Sequence, residues 1–453
     1  MKRIITIDVL RGAAIILMIL FHTWLNVMDL DILNDLNLSE INPILVALAV
    51  IFFFLGRSRT LFLFISAIIH QYKFMKSLNE GKNPERLLYN GIIKGVIVFL
   101  LGVFREGVLS PWGAINSLIL TGHANKTVYR LAYICETLQI IGLSIIFLSV
   151  ISYISFKKQW HKDAVFTSSF LIILALVFLF LAPTIHESVN NFIGYDITRI
   201  GSYNHNFRNT AEYFTRFFWM SIAGVESPIF PNFFVTCIGG IYGYFLAKPN
   251  LDKNFLINSF LGGTLSILFG VIQLAFIDNL HIDFWFRVFP TWFMLINMGV
   301  QIYLLTTILA IFEFRKKANL DRYARWTRYI RRWSIVGLTI YMIQFADLFI
   351  RMFCTNLIGV DFTTRHQQGF GWSIFMMFVA FLFFDAIIRI WERFHFIGTF
   401  EWIMIEFTRL LVGRKHYNSA RMKVKESLYE VEPISLAQKE SIEKKDFRFK
   451  SIF

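Results

Sequence analysis

Asp8-Val9-Leu10-Arg11-Gly12, running on to Met18-Ile19-Leu20-Phe21-His22, decides how this chain is read. Arg11 and His22 stand eleven positions apart in a run that is otherwise almost wholly apolar. At ~100° per residue, that separation turns through roughly 1100°, within about 20° of three full helical turns. Both side chains therefore share one helix face, about 16 Å apart along the axis. Asp8 and Asp29 fall near the same stripe. An ionised group in hydrocarbon costs roughly 2.5–3.5 kcal/mol, so the seam is expected to face a protein-lined cavity.

The composition around this helix is that of a membrane protein. The 453 residues are 56% hydrophobic and 17% charged, where a soluble domain carries about 25% charged residues. The expected fold is all-α, a single bundle of about ten transmembrane helices with both termini inside. The net charge of +14 gathers in short loops and in the last part of the chain. That distribution reads as the positive-inside signature and not as a nucleic-acid surface. Cys135, Cys237 and Cys354 each sit in an apolar segment without metal-ligand spacing, and read as small buried hydrophobes. Met1-Lys2-Arg3 resembles the start of a signal peptide, but the apolar segment runs to about Met28 and reads as a retained span.

Apolar runs place spans at roughly 8–28, 58–75, 88–109, 131–155, 164–185, 230–247, 255–277, 288–314, 333–357 and 370–391. The apolar stretch 43–55 is too short to cross and is expected to lie in the interface or re-enter. Loop charge tests the topology. Loop 29–42 holds Asp29, Asp31, Asp35 and Glu40, and loop 278–286 holds Asp278 and Asp283. Loops 76–87, 156–163 and 315–332 are basic, the last with Arg322, Arg325, Arg328, Arg331 and Arg332 among its charges. The alternation fits ten crossings. Residues 1–392 form the membrane domain on this reading. Residues 393–453 form an inside tail, with an amphipathic helix at about 398–412 on the membrane surface.

The seam offers chemistry. A buried imidazole is biased to neutrality and is then a competent base, so His22 is a candidate catalytic residue. Asp29, seven residues on, is placed to orient a ring nitrogen. A histidine bonded between helices for packing is the alternative. Arg11 pairs with Asp8 or contacts a phosphate or carbonyl of a ligand arriving from inside. Glu136 and Gln139 are further cavity candidates with Asp8. Glu136 has no helical partner within four residues and needs one on another helix, Arg11 being a candidate. Asp347 with Arg351, and Asp385 with Arg389, are spaced to pair within their own helices. Gly239, Gly240, Gly243, Gly262 and Gly263 lie inside spans, where small residues allow close packing. No Walker, dinucleotide or zinc motif occurs. Asn37-Leu38-Ser39 and Asn125-Lys126-Thr127 match glycosylation triplets.

The arginine, ten residues and a histidine resemble the first-helix signature of the acyltransferase-3 family of membrane acyltransferases, with the heparan-α-glucosaminide N-acetyltransferase and YeiB-like proteins as similar groups. Glu136-Thr137-Leu138-Gln139-Ile140-Ile141-Gly142 resembles their fourth-helix segment. Pro228-Ile229-Phe230-Pro231 with Gly239, Gly240 and Gly243 resembles their proline-led helix. Leu338-Thr339-Ile340-Tyr341 and Gly398-Thr399-Phe400-Glu401-Trp402 resemble YeiB-like segments. The likeness runs patchily from residue 4 to about 412. It departs at Ala67, where relatives carry glycine, and at Thr399-Phe400 in place of proline-leucine. The heparan branch has asparagine where His22 stands.

The resemblance implies a cell-membrane enzyme that moves an acyl group, acetyl in the first instance, from acyl-CoA to a hydroxyl or amine. It implies phosphates held near Arg86 or Lys94, a pantetheine arm passing Arg11, and His22 at the thioester. A sugar or glycolipid would be the acceptor, membrane lipids the surroundings, and no metal is needed; a homodimer is left open. The competing reading is a transporter or flippase-like carrier, against which stands the lack of a visible internal repeat. A structural or sensory membrane protein is the third.

Overall fold

The computed structural model describes residues 4–29, 59–110, 113–123, 134–194, 210–248, 251, 254–276, 289–314, 320–364 and 366–411. Among these, helix is the only extended regular structure, and one isolated bridge joins Met28 to Gln368. The stretch 43–55, Asp31, Asp35, Glu40, the loop 278–286, both glycosylation triplets and the tail beyond 411 lie outside the described residues.

The first helix, α1 (Ile5–Val27), stops where Met28 turns extended at φ −64°, ψ 131°. The chain continues through α2 (Arg59–Asn79), α3 (Pro84–Phe104), a π-helical turn (Arg105–Leu109), α4 (Ala114–Thr121), α5 (Thr137–Lys157) and α6 (Ala164–Phe180). Next come α7 (Ala182–Ile193), α8 (Thr210–Ala223), α9 (Ile229–Leu246), α10 (Asn254–Ala275) and α11 (Thr291–Phe312). The last elements are α12 (Leu320–Trp326), α13 (Arg328–Ile335), α14 (Gly337–Met342), α15 (Asp347–Ile358), α16 (Phe370–Arg393) and α17 (Phe400–Leu411).

Among the described residues seven segments are long and apolar enough to cross a membrane: α1, Pro84–Thr121, α5, α9, α10, α11 and α16. α6 and α7, bent by 47°, make an eighth if taken as one span. The chain thus has the make-up of a polytopic membrane protein. Two of the ten expected spans fall short for physical reasons. The run in α2 is diluted by Arg59, His70, Gln71, Lys73 and Lys76. The expected span 333–357 is broken into α13, α14, a 3-10 turn at Gln344–Ala346 and α15.

The breaks fall at Val336 (φ −106°, ψ 25°) and Ile343 (φ −91°, ψ 12°). An interrupted helix in a membrane must have its freed amides satisfied by protein. Glu401 on α17 does this at the first break. Its Oε1 accepts from Leu338 N–H at 2.6 Å and Thr339 N–H at 3.3 Å, and its Oε2 accepts from the Thr339 hydroxyl. α17 is therefore fastened to the bundle, with Phe400 and Met404 packed near Val98, Leu138 and Met342. Ile403, Phe407 and Leu410 stay exposed on it.

Close helix contacts follow the small residues. A Cβ on Gly12 would lie 2.1 Å from the Ile330 carbonyl oxygen, so the backbones of α1 and α13 touch there. α9 crosses α2 in the same way: a Cβ on Gly243 would lie 2.5 Å from the Ile68 carbonyl oxygen. Gly262, by contrast, faces open space, and only its neighbour Gly263 meets α11. Two main cores result, one around α2, α9 and α11, the other around α1, α13 and α16.

Candidate functional site

α1 and the broken helix α13–α15 run side by side in the same direction. Asp8 faces Arg331 at 3.8 Å, Arg11 bonds Ser334, Ile15 touches Gly337, and Thr23 bonds Asp347 at 3.0 Å. The polar stripe read from the sequence is thus buried against a second, discontinuous helix that is itself polar. At the Arg11 end, Ser334 joins the two charges of α1. Its hydroxyl accepts from Arg11 Nε at 2.9 Å and donates to Asp8 Oδ1 at 3.3 Å. Its carbonyl accepts from Arg11 Nη2. Arg331, fully buried, supplies the cation opposite Asp8.

At the other end of the seam, His22 Nδ1 lies 2.9 Å from the Met18 carbonyl oxygen. A carbonyl only accepts, so Nδ1 carries the proton, and in the neutral imidazole Nε2 keeps its lone pair. The orienting role expected of Asp29 thus belongs to the backbone. The expectation for Asp29 rested on helical register, and the helix ends at Val27. Asp29 instead donates its N–H to the Gln368 carbonyl at 2.8 Å. The charges that act on the His22 ring are those of Arg105, Asp347 and Arg59.

Those charges belong to a larger cluster. Arg59, at the start of α2, pairs with Glu226 and sits 5.0 Å from the Phe289 ring centre. Arg105 and Glu106, in the π-helical turn, pair with one another while both are buried. Arg105 also donates to Gln344 Oε1 at 3.1 Å and lies 4.2 Å above the Tyr341 ring. Glu136 feels Glu226, Glu106, Arg59 and Arg105 together. Its expected partner Arg11 is at the opposite end of α1, so that pairing is corrected. Among the described residues, Glu136 is the one carboxylate of these three without a direct ion pair. Locally it caps α5, accepting from Thr137 N–H at 3.3 Å, while Gln139 Oε1 accepts the Glu136 N–H at 2.5 Å. Asp347 closes the group, bonded by Thr23, by Asn26 at 3.3 Å and by Arg351 at 3.0 Å.

Arg59, Arg105, Glu106 and Glu226 are not among the site candidates the sequence offers, and Tyr341 enters there only as part of a motif. Arg59 reads as the start of a span, Glu226 as a loop residue, and Arg105-Glu106 as the end of a span. The one available signal was two adjacent charges inside an apolar run. Arg86 and Lys94 stand exposed on α3, which packs on α5 and α2 while the seam lies between α1 and α13. Lys94 acts with Lys73 on His70. His70 Nε2 lies 2.8 Å from Ser149 Oγ, whose hydroxyl donates to the Ile145 carbonyl at 2.7 Å. His70 is therefore the donor in that pair and serves packing. No group of three or more His, Cys, Asp or Glu side chains gathers as a metal site among the described residues.

Comparison with protein-family models finds none that matches the chain, and no curated protein matches it either.

Proposed function

We propose that this chain is a ten-span acyltransferase of the cell membrane, with both termini inside. It moves an acyl group, acetyl in the first instance, from acyl-CoA on the inner side to a hydroxyl or amine on the outer side. The observation that carries the reading is His22, its proton held on Nδ1 by Met18, set within the field of Arg59, Arg105 and Asp347 at the far end of a polar seam from Arg11. Nε2 takes the proton of the acceptor O–H or N–H as that atom attacks the thioester carbonyl. The C–S bond breaks and the imidazolium returns the proton to the thiolate. An acyl-histidine route uses the same nitrogen as nucleophile. Guanidinium groups and the Tyr341 hydroxyl are the donors at hand for the developing oxyanion. A sugar or glycolipid, with its many hydroxyls, suits a cluster rich in acceptors.

The test is transfer of radiolabelled acetyl from acetyl-CoA in purified membranes, offered amino sugars and glycolipids, with wild type against His22→Ala. Label reaching an acceptor only with wild type is the expected result. Equal transfer by the folded variant would remove His22 from the chemistry.

A carrier without acyl transfer is the second reading, and the break between α13 and α15 favours it. Discontinuous helices beside a polar site are the usual place where transporters bind. Uptake or flipping that survives His22→Ala would move the assignment there.

A further inference from the structure

Beyond Arg11, away from His22, the seam ends in a basic and aromatic edge. α12 packs on the first turns of α1, with Tyr323 and Ala324 against Ile5 and Val9. Arg322 and Arg325 stand on the exposed side of this short helix. The Arg322 guanidinium lies 5.1 Å from the centre of the Trp326 ring, and Trp326 is 75% exposed. Three acids described near this edge face other groups. Asp8 faces Arg331 and Ser334. Glu392 pairs with Arg332 at 3.0 Å and Arg328 at 3.9 Å. Glu313 accepts from the Thr6 N–H. Arg325 has no ion-pair partner among the described residues. Exposed Arg325 and the Arg322–Trp326 stack form a basic, aromatic edge next to the first turn of the helix that carries Arg11 and His22.

We propose that Arg322, Arg325 and Trp326 hold the phosphate-bearing, purine end of a nucleotide, namely the 3′-phosphoadenosine diphosphate of acyl-CoA. The proposal rests on the acyltransferase reading and assigns its donor an inner anchor. Guanidinium forks match phosphate oxygens two at a time. An exposed indole gives a base a face on which to stack. From this edge, the register of α1 against α13 leads past Asp8 and Arg331, then Arg11 and Ser334, toward His22. The geometry therefore favours this edge over Arg86 and Lys94, which stand on α3. A phospholipid headgroup shares the phosphate but offers no base to stack on Trp326, and that difference separates the two sources.

The experiment is calorimetric binding of CoA, 3′-dephospho-CoA and pantetheine to the full chain in phosphatidylcholine nanodiscs. Wild type is compared with Arg325→Gln, Trp326→Ala and Lys158→Gln, the last on a different basic loop. Thermal unfolding of each protein, with and without phosphatidylglycerol, checks folding and lipid dependence. Loss of a charge-assisted bond should weaken CoA binding about tenfold in Arg325→Gln. Trp326→Ala should weaken CoA and leave pantetheine unaffected, and Lys158→Gln should match wild type. CoA binding that neither edge variant weakens would overturn the site and leave the acyltransferase reading standing. Failure of wild type to bind CoA would overturn both. Stabilisation by phosphatidylglycerol that needs Arg325, without CoA binding, would make the edge a lipid contact.

Discussion

Single residues hold the seam together, and Gly12 is the most exacting of them. The Ile330 carbonyl occupies the space a side chain would need, and a backbone oxygen cannot swing away. Gly12→Ala is expected to force α1 and α13 apart and cost about 1–3 kcal/mol, as overpacking does. Ser334→Ala removes the hydroxyl shared by Arg11 and Asp8, and leaving buried polar groups short of a partner costs roughly 1–3 kcal/mol. Thermal unfolding in detergent should show both variants below wild type. A Gly12→Ala protein as stable as wild type would mean that the two helices do not touch there. At His22 the tautomer is a consequence of position: the i−4 carbonyl lies beside Nδ1, which leaves Nε2 for chemistry.

Helix α17 acts as a clasp on the broken helix. Glu401 receives three hydrogen bonds from Leu338 and Thr339, and the segment they begin leads to Tyr341 and Gln344, which meet Arg105. Burial holds the Glu401 carboxyl above its ordinary value of 4.5, against the opposing pull of those donors. The sign of the pH effect follows. An acid raised on folding binds its proton more tightly in the folded state, so stability is greatest at low pH. Stability falls as pH rises from 4.5 through the raised value, and is level above it. The difference in unfolding temperature between wild type and Glu401→Gln should narrow or widen only across that interval. A difference independent of pH would show that Glu401 does not titrate in its clasp. Discontinuity itself has an element-scale reason: amides freed at Val336 are retained because an acid from another helix pays their hydrogen-bond cost.

For the whole molecule, the proposed ten-span arrangement counts α2 and the broken α13–α15 beside the seven apolar segments and the bent α6–α7. Single cysteines placed at Gly81 and at Lys158 should react with a membrane-impermeant maleimide only from the inner face. One at Thr364 should react only from the outer face. Labelling of Gly81 and Thr364 from the same side would break the ten-span arrangement. On that proposal the Glu136, Arg59 and Arg105 cluster would lie at the outer boundary and the Arg322 edge at the inner one.

The sequence alone determined that this is a helical protein built for a membrane, because apolar runs of span length are a property of consecutive residues. It also determined that Asp8, Arg11 and His22 share a face, since helical period needs no partner. The pairs Asp347–Arg351 and Asp385–Arg389 were legible for the same reason. The charged cluster beyond the seam was not. Arg59, Arg105, Glu226 and Tyr341 come from four separate stretches of chain and meet only when the helices pack. The end of α1 at Val27, which took Asp29 off the shared face, depended on a bridge to Gln368 far along the chain. The break at Val336 depended on Glu401 arriving from α17. Local period dictates which way a side chain faces, and only tertiary structure decides what it faces.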